Sequence, residues 1–327
     1  MANVQDVAKK AGVGVGTVSR VISGKGYVSE EKRKLVQAAI EELGYQPNEL
    51  ARNLLHNRTN IIAIIVPSVA NAFYSTLVYY IEIELRKYGY KTMLCDTVGE
   101  KTNEQVFLEM LDRSMVDGVL TASHTQEHSV YKKLKKAVVS FDTPQLADGI
   151  PVITVDHVKG GRMAAEALIA SDCREVLQFV DESDEDYPFI RRHREFRRVI
   201  EQAGIICHDY VLKWNEFGRD YAKFVAKDAL EKYPQVDGVF STDDHALDYM
   251  NEVRYLGKRI PEDVRVVAYD GAYILDGAYP PVSVVVQPIE EIALAGVNTL
   301  LKMIQENQPV ADWIQLDVAY RGGQTTL

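Results

Sequence analysis

The 327-residue chain contains only three cysteines, Cys95, Cys173 and Cys207, far apart and odd in number. No two form a CxxC pair, so neither a disulfide framework nor a cysteine zinc site organises the molecule, and three thiols in or near a core are expected. No apolar run approaches the ~20 residues that a membrane helix requires. The opening MANVQDVAKKAG lacks the apolar segment of a signal peptide, so the expectation is a cytoplasmic protein with no membrane partner. Positive charge is also scarce: 37 Lys and Arg face 47 Asp and Glu, a net charge of −10, which argues against nucleic acid as a partner along the whole chain. The phosphate-loop pattern GxxxxGK[ST] does not occur, and neither a cofactor nor a metal is expected. Composition is otherwise ordinary for a globular protein, and the length suits two or three compact units.

The charge is uneven. Residues 1–60 carry nine Lys and Arg against six Asp and Glu, while the remainder carries 28 against 41. A mildly basic head therefore precedes an acidic body. Three short helical patterns fill the head. VQDVAKKA follows Asn3 as a plausible N-cap and stops at Gly12. A second pattern runs from about Val15 to Ser23 and stops at Gly24-Lys25-Gly26. A third follows Ser29, with Glu30 and Glu31 in its first turn, and turns Leu35, Val36, Ala39, Ile40 and Leu43 inward.

From Ile61 the texture changes. IIAIIV reads as a buried parallel strand, and apolar strands then alternate with amphipathic helices to the end of the chain. That alternation predicts an α/β body with parallel sheets and helices on both faces. Its length suits two such sheets with a cleft between them.

The run AGVGVGTVSRV could suggest a dinucleotide loop. However, it follows a helix rather than a strand, and no glycine stands at the last position of GxGxxG. Helix, glycine turn and second helix are instead the grammar of a helix-turn-helix. The second helix then offers Val15, Gly16 and Thr17 to base edges, with Ser19 and Arg20 one turn on. Arg20 suits a guanine edge, Val15 a thymine methyl, and Thr17 and Ser19 phosphates.

DVAKKAGVGVGTVSRVISGKGYVSEEKRKLVQAAIEELGYQPNELARNL resembles the DNA-binding head of the LacI family of bacterial regulators. The resemblance continues through VPSVANAFY, VDGVL, FDTP, GGRMAAEAL, RIPEDVRVVAYDG and QPIEEIALAGVNTLL. It implies a three-helix helix-turn-helix domain with a hinge helix over about 47–56, within residues 1–58. A periplasmic-binding-protein-like body of two Rossmann-like subdomains then fills 59–327, the first made of 61–157 and 288–313, the second of 158–287 and 314–327. It further implies a homodimer on palindromic operator DNA, with Asn48 capping the hinge helix, Ala51 and Arg52 beside the DNA, and Leu54 wedged into a central base step. The chain carries no leucine heptad tail after RGGQTTL, which favours a dimer over a tetramer. Gly14 replaces the commoner Ser or Thr cap, and Gly16 stands where relatives place a base-reading side chain.

The same resemblance implies an effector cleft for a sugar or a sugar phosphate, at the C-terminal ends of the strands. Phe73 and Tyr74 suit stacking on a sugar ring. Asp142, Asp243, Asp270 and Gln287 suit hydroxyls. Arg192 heads an R-x-x-x-F pattern similar to the family's R-x-x-G-F, with Glu195 in place of the usual glycine. The acidic run DESDEDYP reads as a solvated loop. Carboxylates with an arginine in a cleft also suit a glycosidase, and a sugar-binding protein without a regulatory role is a further alternative; the DNA-reading head favours a repressor without catalytic activity. On this reading, Leu54→Ala weakens operator binding and leaves sugar binding intact. Operator titration by gel shift checks it, and unchanged DNA affinity removes the wedge.

Overall fold

The computed structural model describes residues 2–24, 26–45, 58–98, 102–123, 128–134, 136–181, 187–213, 216–305 and 310–327. It divides into a head, residues 1–59, and a body, residues 60–327.

The head packs three helices, α1 (Val4–Ala11), α2 (Val15–Ser23) and α3 (Glu30–Glu42). Asn3 begins α1 with a reciprocal capping box. Its side chain accepts from the backbone N–H of Gln5 and Asp6, and the Asp6 carboxylate accepts from the Asn3 N–H at 2.9 Å. Gly12 ends the helix in the left-handed region at φ 65°. Val7, Ala8, Ala11, Val18, Val36 and Ala39 form the core. Leu35, expected inward, is 49% exposed. The helical period places it about 100° from Val36, which takes the inward position. On α2, Val18 is fully buried, while Val15, Gly16, Ser19 and Arg20 are exposed and Thr17 is half-buried. The residues expected to read DNA from this helix thus share its outward side, with Thr17 at the margin. Asn48, Ala51, Arg52 and Leu54 lie outside the described residues.

The body holds two six-stranded sheets. In chain order its elements are β1 (Ile61–Val66), α4 (Ala72–Lys87), β2 (Lys91–Asp96), α5 (Thr102–Asp112), β3 (Gly118–Thr121), α6 (His128–Tyr131), β4 (Ala137–Phe141) and β5 (Val152–Val155), then α7 (His157–Ala170), β6 (Glu175–Asp181), α8 (Ile190–Gln202), β7 (Ile206–Leu212), α9 (Arg219–Lys232), β8 (Gly238–Thr242), α10 (Asp243–Tyr255), β9 (Arg265–Asp270) and β10 (Ser283–Val286), and finally α11 (Ile289–Gln305), β11 (Trp313–Leu316) and β12 (Ala319–Arg321). The first sheet has the order β11-β5-β4-β3-β1-β2 and the second β12-β10-β9-β8-β6-β7. All pairings are parallel except that of β12 with β10. The apolar run IIAIIV shows why. Ile62 and Ile64 pack with Leu77, Ile81 and Leu85 on one face, and Ala63 and Ile65 with Leu108, Val119 and Tyr131 on the other. A strand buried on both faces must be apolar at every position.

The chain crosses between the sheets three times: after β5, after β10 and between β11 and β12. The last crossing falls later than expected. Trp313–Leu316 pairs in parallel with Val152–Val155 of the first sheet, so 314–316 belong with the first subdomain and the chain changes sheets at Asp317 and Val318. Among the described residues, no helix is long and apolar enough to cross a membrane.

A Cβ added at Gly16 meets open space. Gly16→Ala is therefore expected to stabilise the head by ~0.5–1 kcal/mol, the backbone entropy that glycine loses in a helix. Native-state hydrogen exchange of the Val7 and Val18 amides in the full chain checks this. Slowing of about two- to fivefold is expected, and faster exchange contradicts it.

Candidate effector cleft

In both sheets the strand order reverses once, between β1 and β3 and between β6 and β8, and parallel strands leave their carboxyl ends open at such a point. One cavity lies there, with about 120 Å³ of free space, against the ~10–15 Å³ that one water needs. Its walls come from both sheets: Asn71, Phe73 and Tyr74 after β1, Asp142 after β4, Asp181 on β6, Arg192 on α8, Asp270 on β9, and Gln287 after β10. Six of the seven residues expected in the cleft thus line one cavity.

Asp243 does not line it. Its side chain is 1% exposed and accepts from the Ala272 N–H at 2.6 Å. Burial, and then Asp270 nearby, push its carboxyl well above the usual range, against the bonds from the Ala272 and Gly271 amides. As the first residue of α10 it faces the protein, and Thr242 and His245 reach the cavity in its place. The run DESDEDYP also differs from expectation. Asp181 and Tyr187 are cavity walls rather than solvated loop, while 182–186 lie outside the described residues. Asp181 ends a strand as Asp270 does, and Asp142 follows one directly, so the strand-end rule could have found it.

Asp142 and Asp270 leave their strands through left-handed backbone, at φ 49° and 105°, a strain of ~1–3 kcal/mol each of the kind that collects at functional sites. Their environments differ. Burial alone would raise Asp142, but His157, Thr154 and the field of Arg192 overcome it and hold the carboxyl below its usual range. His157 approaches Asp142 Oδ1 at 2.9 Å through Nε2 and the Tyr269 hydroxyl at 3.0 Å through Nδ1. His157 follows the first crossover directly, so it joins a carboxylate of the first subdomain to β9 of the second; the sequence reading did not single it out. Asp270 is pushed up to about 7 by burial, against Arg192 and the bond from Gln287 Nε2 at 2.7 Å. Gln287 Oε1 finds no partner among the described residues.

Arg192 is 6% exposed, and its guanidinium carbon stands 4.5 Å from the centre of the Tyr269 ring and 5.7 Å from that of Phe189. Two glycines of GGRMAAEAL set this position. A Cβ at Gly161 would lie 2.1 Å from the Arg192 carbonyl oxygen, and one at Gly160 would lie 2.6 Å from the Tyr269 hydroxyl. Glycine there lets α7 approach α8 and β9 closely enough to seat the arginine. Glu195 lies away from the cavity beneath two arginines, where it accepts from Arg162 at 2.9 Å and Arg198 at 2.7 Å; the Arg198 bond, with Arg162, holds it down at about 2. The residue that departs from the family pattern thus clamps α8 to α7 and does not line the cavity. Beside the cavity, Asp244 of the second subdomain accepts from Asn71 Nδ2 at 3.0 Å and from the Ala72 N–H at 3.1 Å, at the start of α4 in the first.

Residues 3–48 match the model of the bacterial regulatory proteins of the lacI family, and residues 165–325 that of a periplasmic binding protein-like domain. The chain is 36% identical to a sucrose operon repressor of Streptococcus mutans, over 99% of both chains. Among solved structures, a complex of the transcriptional regulator CelR with cellobiose is 27% identical, with a TM-score of 0.69, over 99% of this chain and 100% of that one. A lac repressor dimer bound to operator and the anti-inducer ONPF, at 22% identity, shares the fold with a TM-score of 0.85 over 100% of this chain and 99% of that one.

Asp270 yields a pH prediction. Its carboxyl titrates near 7 in the folded protein and at 3.8 as the ordinary group, so the folded state holds its proton more tightly. The associated stability is fully present below about pH 4 and is lost as pH rises through 7. Asp270→Asn, which removes the charge and keeps an acceptor for Gln287, is expected to stabilise the body at pH 8 by on the order of 1–3 kcal/mol and by much less at pH 4. Urea unfolding at the two pH values checks this, and an equal gain at both contradicts it.

Proposed function

Because the chain belongs to the lacI family of bacterial regulatory proteins, we propose that it represses a carbohydrate-utilisation operon and answers to an uncharged sugar held in the body cleft. A single observation carries this reading: one chain combines a helix that turns Val15, Ser19 and Arg20 outward with a cleft walled by aromatic rings, carboxylates and an arginine. The helix suits base edges in a major groove. The cleft suits a ring with an apolar face and a rim of hydroxyls. Phe73, Tyr74 and Phe217 offer surfaces for the face, Arg192 donates to hydroxyl oxygens, and Asp142, Asp270 and Gln287 accept from hydroxyl protons.

The charge of the lining favours a neutral sugar over a sugar phosphate. Asp142, Asp181, Glu216 and Asp270 stand against Arg192 and Lys213, and Lys213 is already paired with Glu216 at 3.5 Å. A phosphate dianion would meet more negative than positive charge. The protein acts in the cytoplasm as a homodimer on a palindromic operator and performs no catalysis. Sugar binding changes the angle between the body subdomains and so the spacing of the two hinge segments, and the effects of sugar and operator on one another are reciprocal.

A thermal-shift panel of sucrose, cellobiose, glucose and fructose with their phosphates, followed by operator gel shifts, tests this. A neutral sugar at ~100 times its Kd adds about 2.7 kcal/mol and should raise Tm by roughly 5 °C or more. Arg192→Ala should lose most of that shift and of the operator response while still binding operator, with weakened sugar binding that remains measurable by titration. Stabilisation by phosphates alone overturns the neutral-sugar reading, and failure to bind any palindromic site overturns the repressor.

A further inference from the structure

Arg192 lies among carboxylates yet bonds to none of them. Asp142, Asp181 and Asp270 share its cavity, but among the described residues its one hydrogen bond within the protein runs from Nε to His193 Nε2, at 3.2 Å. An arginine Nε–H can only donate, so Nε2 of His193 must carry a lone pair. The proton of the neutral ring then sits on Nδ1, which faces Gln178 Oε1 at 3.2 Å. That bond fixes the Gln178 amide, whose Nε2 donates to Asp209 Oδ1 at 2.8 Å. The same Asp209 oxygen takes Arg197 at 2.7 Å. Donors and acceptors alternate without conflict from Arg192 to Arg197.

His193 and Gln178 are 4% and 1% exposed, respectively, so water does not substitute for these partners. Burial, with Arg192 and His157 beside it, holds His193 well below the usual histidine range and keeps the ring neutral. A carboxylate in the place of His193 would occupy the fork of the guanidinium and cancel its charge. A neutral imidazole fixes the same edge and does neither.

We propose that His193 is the positioning residue of the cleft: through the Gln178–Asp209 relay it holds Arg192 by Nε alone and leaves both terminal nitrogens, with their full charge, to the effector's hydroxyls. The proposal rests on the sugar reading above for what Arg192 meets, and on the hydrogen-bond chain alone for how Arg192 is held.

The test therefore has two readouts on the full-length protein. Nitrogen-15 NMR of labelled histidine reads the tautomer without any sugar. A protonated Nδ1 and a bare Nε2 on His193 are expected, and the opposite tautomer or a charged ring overturns the relay. Sucrose and cellobiose titrations of wild type, His193→Leu, His193→Gln, Arg192→Ala and the Arg192→Ala/His193→Leu double variant supply the second readout. Loss of the bond in His193→Leu is expected to weaken sugar binding about tenfold. Glutamine offers an amide oxygen to Arg192 and an amide N–H to Gln178, so His193→Gln should recover to within about threefold. In the Arg192→Ala background the leucine change should cost nothing further.

Equal affinity in wild type and in a folded His193→Leu overturns the positioning role and leaves the sugar reading intact. So does an undiminished leucine effect without Arg192. If wild type binds neither sugar, those ligands fail, and the tautomer measurement still decides the relay. Should His193→Leu not fold, the glutamine variant carries the comparison, and its failure to approach wild type counts against the proposal.

Discussion

The body is organised around one buried positive charge. Arg192 is 6% exposed in a wall that also carries Asp142, Asp181 and Asp270, and burying an unpaired cation is costly. The structure meets that cost with the field of three nearby carboxylates, the face of Tyr269 and a neutral histidine, in place of a direct ion pair. The neighbours register the charge in turn: Arg192 helps hold Asp142 down and opposes the burial that raises Asp181 and Asp270. Without the arginine, three acids would share a poorly solvated space with His157, Thr154 and Gln287 to offset them, and protonation would be favoured.

That arrangement constrains the backbone around it. Gly160 and Gly161 of α7 are small because Tyr269 and the Arg192 carbonyl occupy the space a side chain would need. Positive φ at Asp142 and Asp270 turns both carboxylates out of their strands. The contacts that join the subdomains lie in the same region. His157, next to a crossover, bridges Asp142 and Tyr269, and Asp244 binds the start of α4. Any change in the angle between subdomains must carry or break these bonds. An effector that touches Asp142 and Arg192 therefore acts where the two halves are already tied, which gives it the differential interaction that a conformational shift requires.

Much of this was legible in the sequence, for identifiable reasons. Strand–helix alternation and the doubly buried run at Ile61–Val66 gave the parallel sheets, because hydrophobic period and burial are directly linked. The strand-end rule found Asp142 and Asp270 because parallel topology fixes where strand ends gather. It missed Asp181, whose place at the end of β6 was hidden by the acidic residues that follow. Asp243 failed for the converse reason. Standing at the strand end does not decide which way the first helical side chain points, and the Ala272 N–H drew this one inward. Leu35 shows the same limit, since a 13-residue helix with apolar residues on adjacent positions leaves the inward one to be chosen by packing. His157 and His193 were beyond sequence reasoning, because each role needs a partner 15 residues or more away, Asp142 for His157 and Gln178 for His193.

The division of charge along the chain bears on how such a protein meets DNA. The body, with 28 basic against 41 acidic residues, repels a phosphate backbone, and the head has an excess of only three positive charges. Each phosphate neutralised contributes through counterion release in proportion to ~0.9 per contact, so one head of this charge gains little non-specific affinity. Two heads on one palindrome double the contacts and make the second binding event intramolecular. Affinity then depends steeply on whether both heads can engage at once. A weakly basic head is therefore better suited to regulation than a strongly basic one. It keeps the non-specific term small, so that binding rests on two heads engaging together.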